Sequence, residues 1–327
     1  MFFSGLKLLG GGMKRKMMIV VVVVLMCTFA FAENMYTFEL SLEKSYKLGL
    51  GSVGSMIRFY EDFFYVADWQ NSKVYVYDKD FKFETYFLER GKGPGEVSGN
   101  VFYIEISPEG LIYVFDPMTS RYHVYHEITY QDTFNLGTMM NRFIFLDEKR
   151  ALFTYIMNPQ KRVFAEMDIK EGKNLRDLAY KSKEKGNYQV IEGQVAMTVH
   201  EDNLYFGYLL KNKLYKYSLS QDKVVKETEL PFIKTTKTSS DQPLAAYYIL
   251  QICFYHDNIL ILSADFQGKK MTETMPDFYF YIFDADLKFI ERIKLDKMVQ
   301  DFCLVDDFVY ATSGNRVYKY KLIDSHQ

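Results

Sequence analysis

The sequence has little cysteine, proline or tryptophan, with 3 Cys, 7 Pro and 1 Trp in 327 residues. Only Cys253 and Cys303 follow residue 32, and two thiols do not make the disulfide framework of a small secreted domain. We therefore predict that both are buried free thiols. Because the chain also has only 19 Gly, its turns must depend on Asn, Asp and Lys.

An excess of charge of one sign is also missing. The 40 basic and 42 acidic side chains give a net charge of -2, so no strong field recruits nucleic acid or anionic lipid. A hydrophobic share of 48% excludes a disordered chain. The aromatic share of 17% consists almost entirely of Tyr and Phe, which favour half-buried β-sheet.

The first 32 residues have the pattern of a secretory signal peptide. A basic start at Met13–Lys16 precedes the apolar run Ile19–Met26, and Ala30 and Ala32 supply small residues before Glu33. We predict cleavage after Ala32, with Met13 as a possible true start. The apolar run is shorter than the roughly 20 residues of a membrane-spanning helix, so an uncleaved anchor is disfavoured.

This signal predicts a bacterial protein that is periplasmic or secreted, with one domain over residues 33–327 and no stable membrane insertion after cleavage. The bulky Met26 before Cys27 argues against lipoprotein processing.

A strand, polar turn and second strand recur along the rest of the chain. Clear copies begin at Phe63, Leu111, Asn203, Asn258 and Asp307, and a degenerate copy lies between Phe143 and Ile169. Further apolar runs before and behind the copies make four strands a unit, at the period of roughly 40 to 50 residues that propeller blades show. The sequence therefore predicts an all-β, six-bladed β-propeller of four-stranded antiparallel blades.

The two ends of the chain predict how the ring closes. The last unit ends one strand short near Leu322, whereas the run Tyr36–Leu42 precedes the first unit. We predict that this N-terminal strand completes the last blade, which removes exposed sheet edges. Lys170–Gly186 is interpreted as a loop or a short turn of helix, and Lys234–Pro243 and Gln267–Asp277 as long loops of the kind that carry binding residues.

Two segments carry a family resemblance. Tyr65–Asp78 and Arg90–Val97 resemble the NHL-like six-bladed propellers of bacterial exported proteins, within the TolB-like propeller superfamily. The Gly91–Glu96 piece is similar to their interblade turn, with Val97 where Phe is usual. The good match covers Met56–Glu127. The resemblance implies the fold but no single activity, since such propellers include binding scaffolds, sensor domains, lyases and lactonases.

Asp68 and Asp116 occupy the same place, at the end of a second strand. They could belong to a ring of carboxylates that holds Ca²⁺ or a cationic ligand. The favoured interpretation is that each accepts backbone hydrogen bonds in its own turn. Lys73 and Arg121 follow at matched positions, which predicts pairing of acid and base across each hairpin.

Trp69, beside Gln70 and Asn71 in the first of these turns, is a candidate platform for a sugar or peptide, although packing on a neighbouring turn is the commoner role. The candidate ligand-binding residues are therefore Asp68, Trp69, Asn71, Asp116 and Arg121. No cofactor is expected, with Ca²⁺ the one ion considered.

Other motifs are weaker. Gly49–Gly54 matches a dinucleotide fingerprint, but Met56–Tyr60 reads as a strand where that motif needs a helix. His123 and His126 are three apart on a strand, so they face opposite ways and cannot share a metal.

The sequence favours a non-catalytic, monomeric propeller that binds a peptide, glycan or partner protein through one face of the ring. The alternative is a lactonase-type or lyase-type enzyme with a divalent metal in the central channel. Its candidate ligands near the inner strands are Glu105, Asn141, Glu192 and Asp301. That enzyme needs three or more oxygen ligands within reach of one point.

Overall fold

The repeated units fold, in a computed structural model, into six four-stranded antiparallel sheets. The structure describes residues 38–48, 54–101, 103–116, 118–135, 140–155, 162–181, 195–209, 211–232, 246–266 and 275–324. The propeller unit runs from Phe38 to Ile323. These described residues form no helix, and thus none that could cross a membrane.

Each of the first five blades uses four consecutive strands. Blade 1 holds β2 (Gly54–Tyr60), β3 (Phe63–Asp68), β4 (Lys73–Asp78) and β5 (Phe83–Phe87). A short parallel pair, β6 (Glu89–Arg90) and β7 (Glu96–Val97), leads to blade 2, which holds β8 (Tyr103–Ile106), β9 (Leu111–Asp116), β10 (Arg121–His126) and β11 (Thr129–Asn135). Blade 3 holds β12 (Met140–Phe145), β13 (Arg150–Tyr155), β14 (Phe164–Asp168) and β15 (Lys173–Asp177). Blade 4 holds β16 (Val195–His200), β17 (Asn203–Tyr208), β18 (Leu214–Ser218) and β19 (Lys223–Thr228). Blade 5 holds β20 (Ala246–Tyr255), β21 (Asn258–Asp265), β22 (Asp277–Asp284) and β23 (Phe289–Leu295).

The sixth blade joins the two ends of the chain. It holds β24 (Asp301–Val305), β25 (Phe308–Ser313), β26 (Arg316–Asp324) and, outermost, β1 (Phe38–Lys47). The backbone N–H of Leu48 then donates to Asn315 O at 2.8 Å. Closure by the N-terminal strand is thus confirmed, although the strand extends to Lys47, and Tyr36 lies outside the described residues.

The core lies between the blades. Ile57 and Val66 of blade 1, for example, pack in one buried cluster with Tyr310 and Val317 of blade 6. Because each sheet is covered on both faces, its central strands are apolar on consecutive residues, as the sequence indicated.

One element was wrongly assigned from the sequence. The stretch Lys170–Gly186 contains a strand, β15, which forms the outer edge of blade 3. Four of its five residues are exposed, so it has no apolar pattern to reveal it. It is held instead by backbone pairing with β14, as in Asp168 opposite Lys173. Residues 182–186 lie outside the described part.

The topology defines two places where side chains from several blades meet. The first strand of every blade is the innermost, so β2, β8, β12, β16, β20 and β24 surround the axis. Since the strands alternate in direction, the turn between the second and third strands and the connection to the next blade emerge at the same end of the ring. We call that end the loop face.

Candidate functional site: the loop face and the axial cavity

Asp68 holds its own turn on the loop face. Its Oδ1 accepts hydrogen bonds from the backbone N–H groups of Gln70 and Asn71, both at 3.0 Å. Its Oδ2 accepts from Nδ2 of Asn71 at 2.8 Å. The buried carboxylate therefore acts as the turn-forming acceptor that the sequence favoured.

Asp116 connects its turn to the segment between blades 1 and 2. Its Oδ2 accepts from the backbone N–H of Ser98 at 2.9 Å and from Oγ1 of Thr119 at 2.9 Å. Its Oδ1 accepts from the N–H of Met118 at 3.1 Å. Burial alone would raise the pKa of Asp116, but these hydrogen bonds, with that from the Ser98 hydroxyl, hold it below its ordinary value.

The same interblade segment is also tied to the turn of blade 1. The Ser72 hydroxyl donates to Gly99 O at 2.9 Å, and Nη2 of Arg90 donates to Oγ of Ser72 at 3.1 Å and to Oδ1 of Asn100 at 2.7 Å. Gly91–Glu96, predicted to be an interblade turn, does connect blade 1 to blade 2. Its Gly95 has φ +73, and a Cβ there would meet the Tyr130 ring at 2.8 Å, so both conformation and space require glycine.

The remaining candidates lie in the first of these turns or directly after the second. Asn71 and Arg121 are exposed and Trp69 is half-buried. Strand register places Lys73 opposite Asp68 and Arg121 opposite Asp116, while the Lys73 ammonium lies 3.7 Å from the centre of the Tyr86 ring. The turns belong to neighbouring blades at one end of the ring, and the hydrogen-bonded segment between blades 1 and 2 lies between them.

The second place is a cavity of about 160 Å³ on the axis. All six innermost strands contribute to its lining, which mixes charged, polar and apolar side chains: Arg58, Tyr103, Glu105, Arg142, Ile144, Met197, Thr198, Gln251, Ile252, Cys253, Phe302 and Cys303.

Arg58 of β2 binds two carboxylates there. Its Nε lies 3.2 Å from Oε2 of Glu105 and its Nη1 lies 2.8 Å from Oδ2 of Asp301. Asp301 also accepts from the backbone N–H of Ile57 at 3.0 Å. Burial alone would lower the pKa of Arg58, but the two carboxylates raise it well above its ordinary value. The three side chains thus form a fixed, charged triad.

Tyr103 extends the triad. Its hydroxyl lies 2.8 Å from Oε2 of Glu105 and 2.6 Å from the backbone oxygen of Phe143. Burial first, and the Glu105 charge second, raise the pKa of Tyr103 well above its ordinary value. The phenol therefore remains a hydrogen-bond donor.

Arg142 is the other cation of the cavity. Its Nη1 donates to Leu250 O at 3.2 Å, and its guanidinium carbon lies 5.8 Å from the centre of the Tyr103 ring. Within the described part of the chain it forms no ion pair with a carboxylate. Burial lowers the pKa of Arg142 below its ordinary value.

Sequence reasoning found part of this cavity. Glu105 and Asp301 do reach the axis, whereas Glu192 and the side chain of Asn141 lie outside the described residues. Arg58 and Arg142 were missed. Their signal was a single charged residue within each inner strand, as in the sequence MIRFY of β2.

The described residues contain no group of three or more His, Cys, Asp or Glu side chains able to hold a metal ion. His123 is buried with Nδ1 2.8 Å from Oγ1 of Thr133, and His126 is exposed, so the two do face opposite ways.

Cys253 and Cys303 are free thiols, as predicted. Cys303 is buried, whereas Cys253 is only partly buried. Burial raises the pKa of Cys253 to about 12. Met56–Tyr60 lies within a strand, and residues 49–53 of the glycine motif lie outside the described part.

A family model described as a 6-bladed beta-propeller, DUF5128, matches residues 16–256, which is most of the chain. The chain belongs to the DUF5128 family. A search of curated proteins returned no match.

Solved structures of other proteins share the fold of this DUF5128 propeller. A member of the DUF4221 family from Bacteroides vulgatus is similar at 14% identity and a TM-score of 0.69, with 89% of this chain and 99% of that chain covered. A candidate exported protein from Bacteroides fragilis is similar at 11% identity and a TM-score of 0.61, with 89% and 96% covered. Virginiamycin B lyase from Staphylococcus aureus is similar at 12% identity and a TM-score of 0.51, with 88% and 100% covered. At such identities the likeness concerns the fold alone.

Proposed function

We propose that this DUF5128 propeller is an exported, non-catalytic binding protein that holds a peptide, a glycan or a partner protein on its loop face. The observation that carries the proposal is that side-chain hydrogen bonds fix the segment between blades 1 and 2 to the turns on both sides of it. Ser72 and Arg90 tie it to one turn and Asp116 ties it to the next. A surface fixed in this way loses little conformational entropy when a ligand binds.

Trp69, Asn71 and Arg121 supply the contacts on that surface. An indole offers a flat apolar area, and an exposed amide and guanidinium add polar groups suited to sugars, peptide backbones or carboxylates. Asp68 and Asp116 hold the turns rather than the ligand, because their oxygens accept hydrogen bonds within the protein.

The enzyme alternative is less well supported. A divalent metal in the channel would need several oxygen ligands free to face one point. Of the candidate ligands that the structure describes, Glu105 and Asp301 both bind Arg58. A metal placed there would have to compete with a buried guanidinium. The similarity to virginiamycin B lyase supports the fold and not a lyase activity.

Export is supported by the signal pattern of residues 1–32, by the NHL-like features of blades 1 and 2, and by the fold shared with a candidate exported protein. The protein produced in a Gram-negative host should appear outside the cytoplasm as a monomer that begins at Glu33. N-terminal sequencing and light scattering measure both. A chain that stays in the cytoplasm with residues 1–32 attached would contradict export.

The binding proposal is tested on a glycan array and a peptide-display library with the full chain. Trp69→Ala and Arg121→Ala should each weaken the strongest interaction about tenfold or more. The matched control is Phe63→Ala, which removes an exposed aromatic ring from the opposite end of the ring. Equal binding by all three variants would contradict a site on the loop face.

A thermal-shift scan separates binding from the enzyme alternative. We expect Ca²⁺, Mg²⁺, Mn²⁺ and Zn²⁺ to leave the melting temperature unchanged, because a metal that binds only the folded state must raise it. Stabilisation by one of these ions, lost in Glu105→Gln or Asp301→Asn, would favour the enzyme.

A further inference from the structure

The axial cavity carries its charges unevenly. Arg58, Glu105 and Asp301 touch one another and together bear one negative charge, since one guanidinium faces two carboxylates. Arg142 bears one positive charge and, among the described residues, has no carboxylate partner. The cavity is therefore neutral in sum, with a positive group and a negative group held apart.

An irregularity in the backbone pairing of β12 directs the Arg142 side chain into the cavity. The pairing of β12 with β13 is irregular between Met140 and Phe143. There the buried Thr154 hydroxyl accepts from the Arg142 N–H at 3.0 Å and lies 3.3 Å from the Arg142 carbonyl oxygen. Such irregularities redirect side chains and are frequent beside functional sites. Arg142 and Ile144, two residues apart, consequently line the same cavity.

Three further polar groups of the cavity lack a protein partner within the described part of the chain. Oε1 of Glu105 accepts no hydrogen bond there, whereas Oε2 accepts from Arg58 and from Tyr103. The side chains of Thr198 and Gln251 form none either, although each residue is only 8% exposed. These polar atoms line the cavity without a protein partner, so they are available to hydrogen-bond a bound molecule.

The size and the remaining lining limit that molecule. A cavity of about 160 Å³ compares with the roughly 150 Å³ that hold benzene, so the ligand has about six to nine heavy atoms. Ile144, Ile252 and Phe302 give part of the wall an apolar surface. A guanidinium fork matches a carboxylate, and a free carboxylate oxygen matches an ammonium group.

We propose that the axial cavity binds a small free α-amino acid, with its carboxylate on Arg142, its ammonium group on Glu105, and its side chain against the apolar wall. A zwitterion leaves the cavity neutral, whereas a simple anion, a simple amine or a phosphate would each add uncompensated buried charge. This site is separate from the loop face, so either proposal can fail without the other.

The test is isothermal titration calorimetry of the full chain with each common amino acid. We expect at least one small apolar amino acid to bind with a stoichiometry of one. Its matched carboxylic acid without the amine, and its matched amine without the carboxylate, should each bind about tenfold more weakly or worse. Inorganic phosphate should not bind.

Variants assign the contacts. Arg142→Gln and Glu105→Gln should each weaken the amino acid about tenfold or more, and Thr198→Val, which keeps the shape of the side chain, should weaken it less. The matched control is Arg150→Gln, which removes an exposed arginine of the same blade as Arg142. Circular dichroism confirms that each variant is folded.

Three results would overturn the proposal: no amino acid produces binding heat, the simple carboxylic acid or phosphate binds as tightly as the amino acid, or folded Arg142→Gln binds normally.

Discussion

At the scale of single residues, aspartate at a repeated position indicates turn chemistry rather than a shared ligand. Asp78 and Asp284 illustrate it at the other end of the blades. Each accepts two backbone N–H bonds with its Oδ1, from Asp80 and Lys82 in blade 1 and from the equivalent residues in blade 5. Asp68 and Asp116 likewise accept backbone N–H hydrogen bonds within their own turns on the loop face. Aspartates at equivalent positions of successive blades are therefore weak support for a ring of carboxylates that binds a metal.

Asp116 allows a prediction at this scale. Its pKa lies below the ordinary value of 3.8, so the ionised carboxylate stabilises the fold. That contribution is fully present above about pH 5 and is lost as the pH falls through 3.8 and below. Asp116→Asn should reduce the free energy of unfolding by about 1 to 3 kcal/mol at pH 7. The difference from the wild-type protein should shrink below about pH 4.

Urea unfolding at pH 7 and pH 3.5 measures this difference. Asp62→Asn, in an exposed turn, is the control and should change stability little at either pH. A loss in Asp116→Asn that stays constant between the two pH values would contradict the proposed role of the charge.

At the scale of strands, β1 closes the ring although most of its side chains are exposed. Its contribution is the backbone pairing with β26 and the burial of Phe38. Removal of residues 1–48 leaves β26 as an unpaired edge. We expect the melting temperature to fall by roughly 10 °C, as a loss of several kcal/mol in a chain of this size implies.

Removal of residues 1–35 is the control for that truncation, because it spares β1 and should leave the melting temperature nearly unchanged. Differential scanning calorimetry on both truncated chains measures the effect. Equal melting temperatures would mean that β1 does not hold the ring closed.

The strands also show how far the sequence predicts the structure. Repetition of aromatic and β-branched runs revealed the buried strands, and the spare strand at the start of the chain revealed the closure. The exposed β15 was missed because it is fixed by its neighbour's backbone and not by an apolar pattern. The NHL-like resemblance stays a prediction within the broader propeller assignment.

At the scale of the whole molecule, the axial site could be predicted only in part. Glu105 and Asp301 were candidates because they lie near the inner strands that the sequence predicts. Their common partner was not visible, since Arg58 lies 47 residues from one and 243 from the other in the chain. Only the closed ring brings blades 1, 2 and 6 to one point.

Arg58 therefore joins three blades, and its loss should affect the entire ring. Arg58→Met leaves Glu105 and Asp301 in the cavity without their cation, which should destabilise the fold by about 3 to 5 kcal/mol at pH 7. The triple variant with Glu105→Gln and Asp301→Asn should recover most of this stability, because neither carboxylate is then left without its cation.

Arg150 provides the matched comparison, since it also binds two carboxylates, Asp147 and Glu166, but on the surface of a single blade with 48% of its side chain exposed. Arg150→Met should cost about 1 kcal/mol or less, because its pair with Asp147 is exposed and the buried Glu166 keeps its ion pair with Arg176. Chemical unfolding of the two variants side by side measures the contrast. An equal loss of unfolding free energy in both variants would mean that the buried Arg58 triad stabilises the ring no more than an exposed ion pair does.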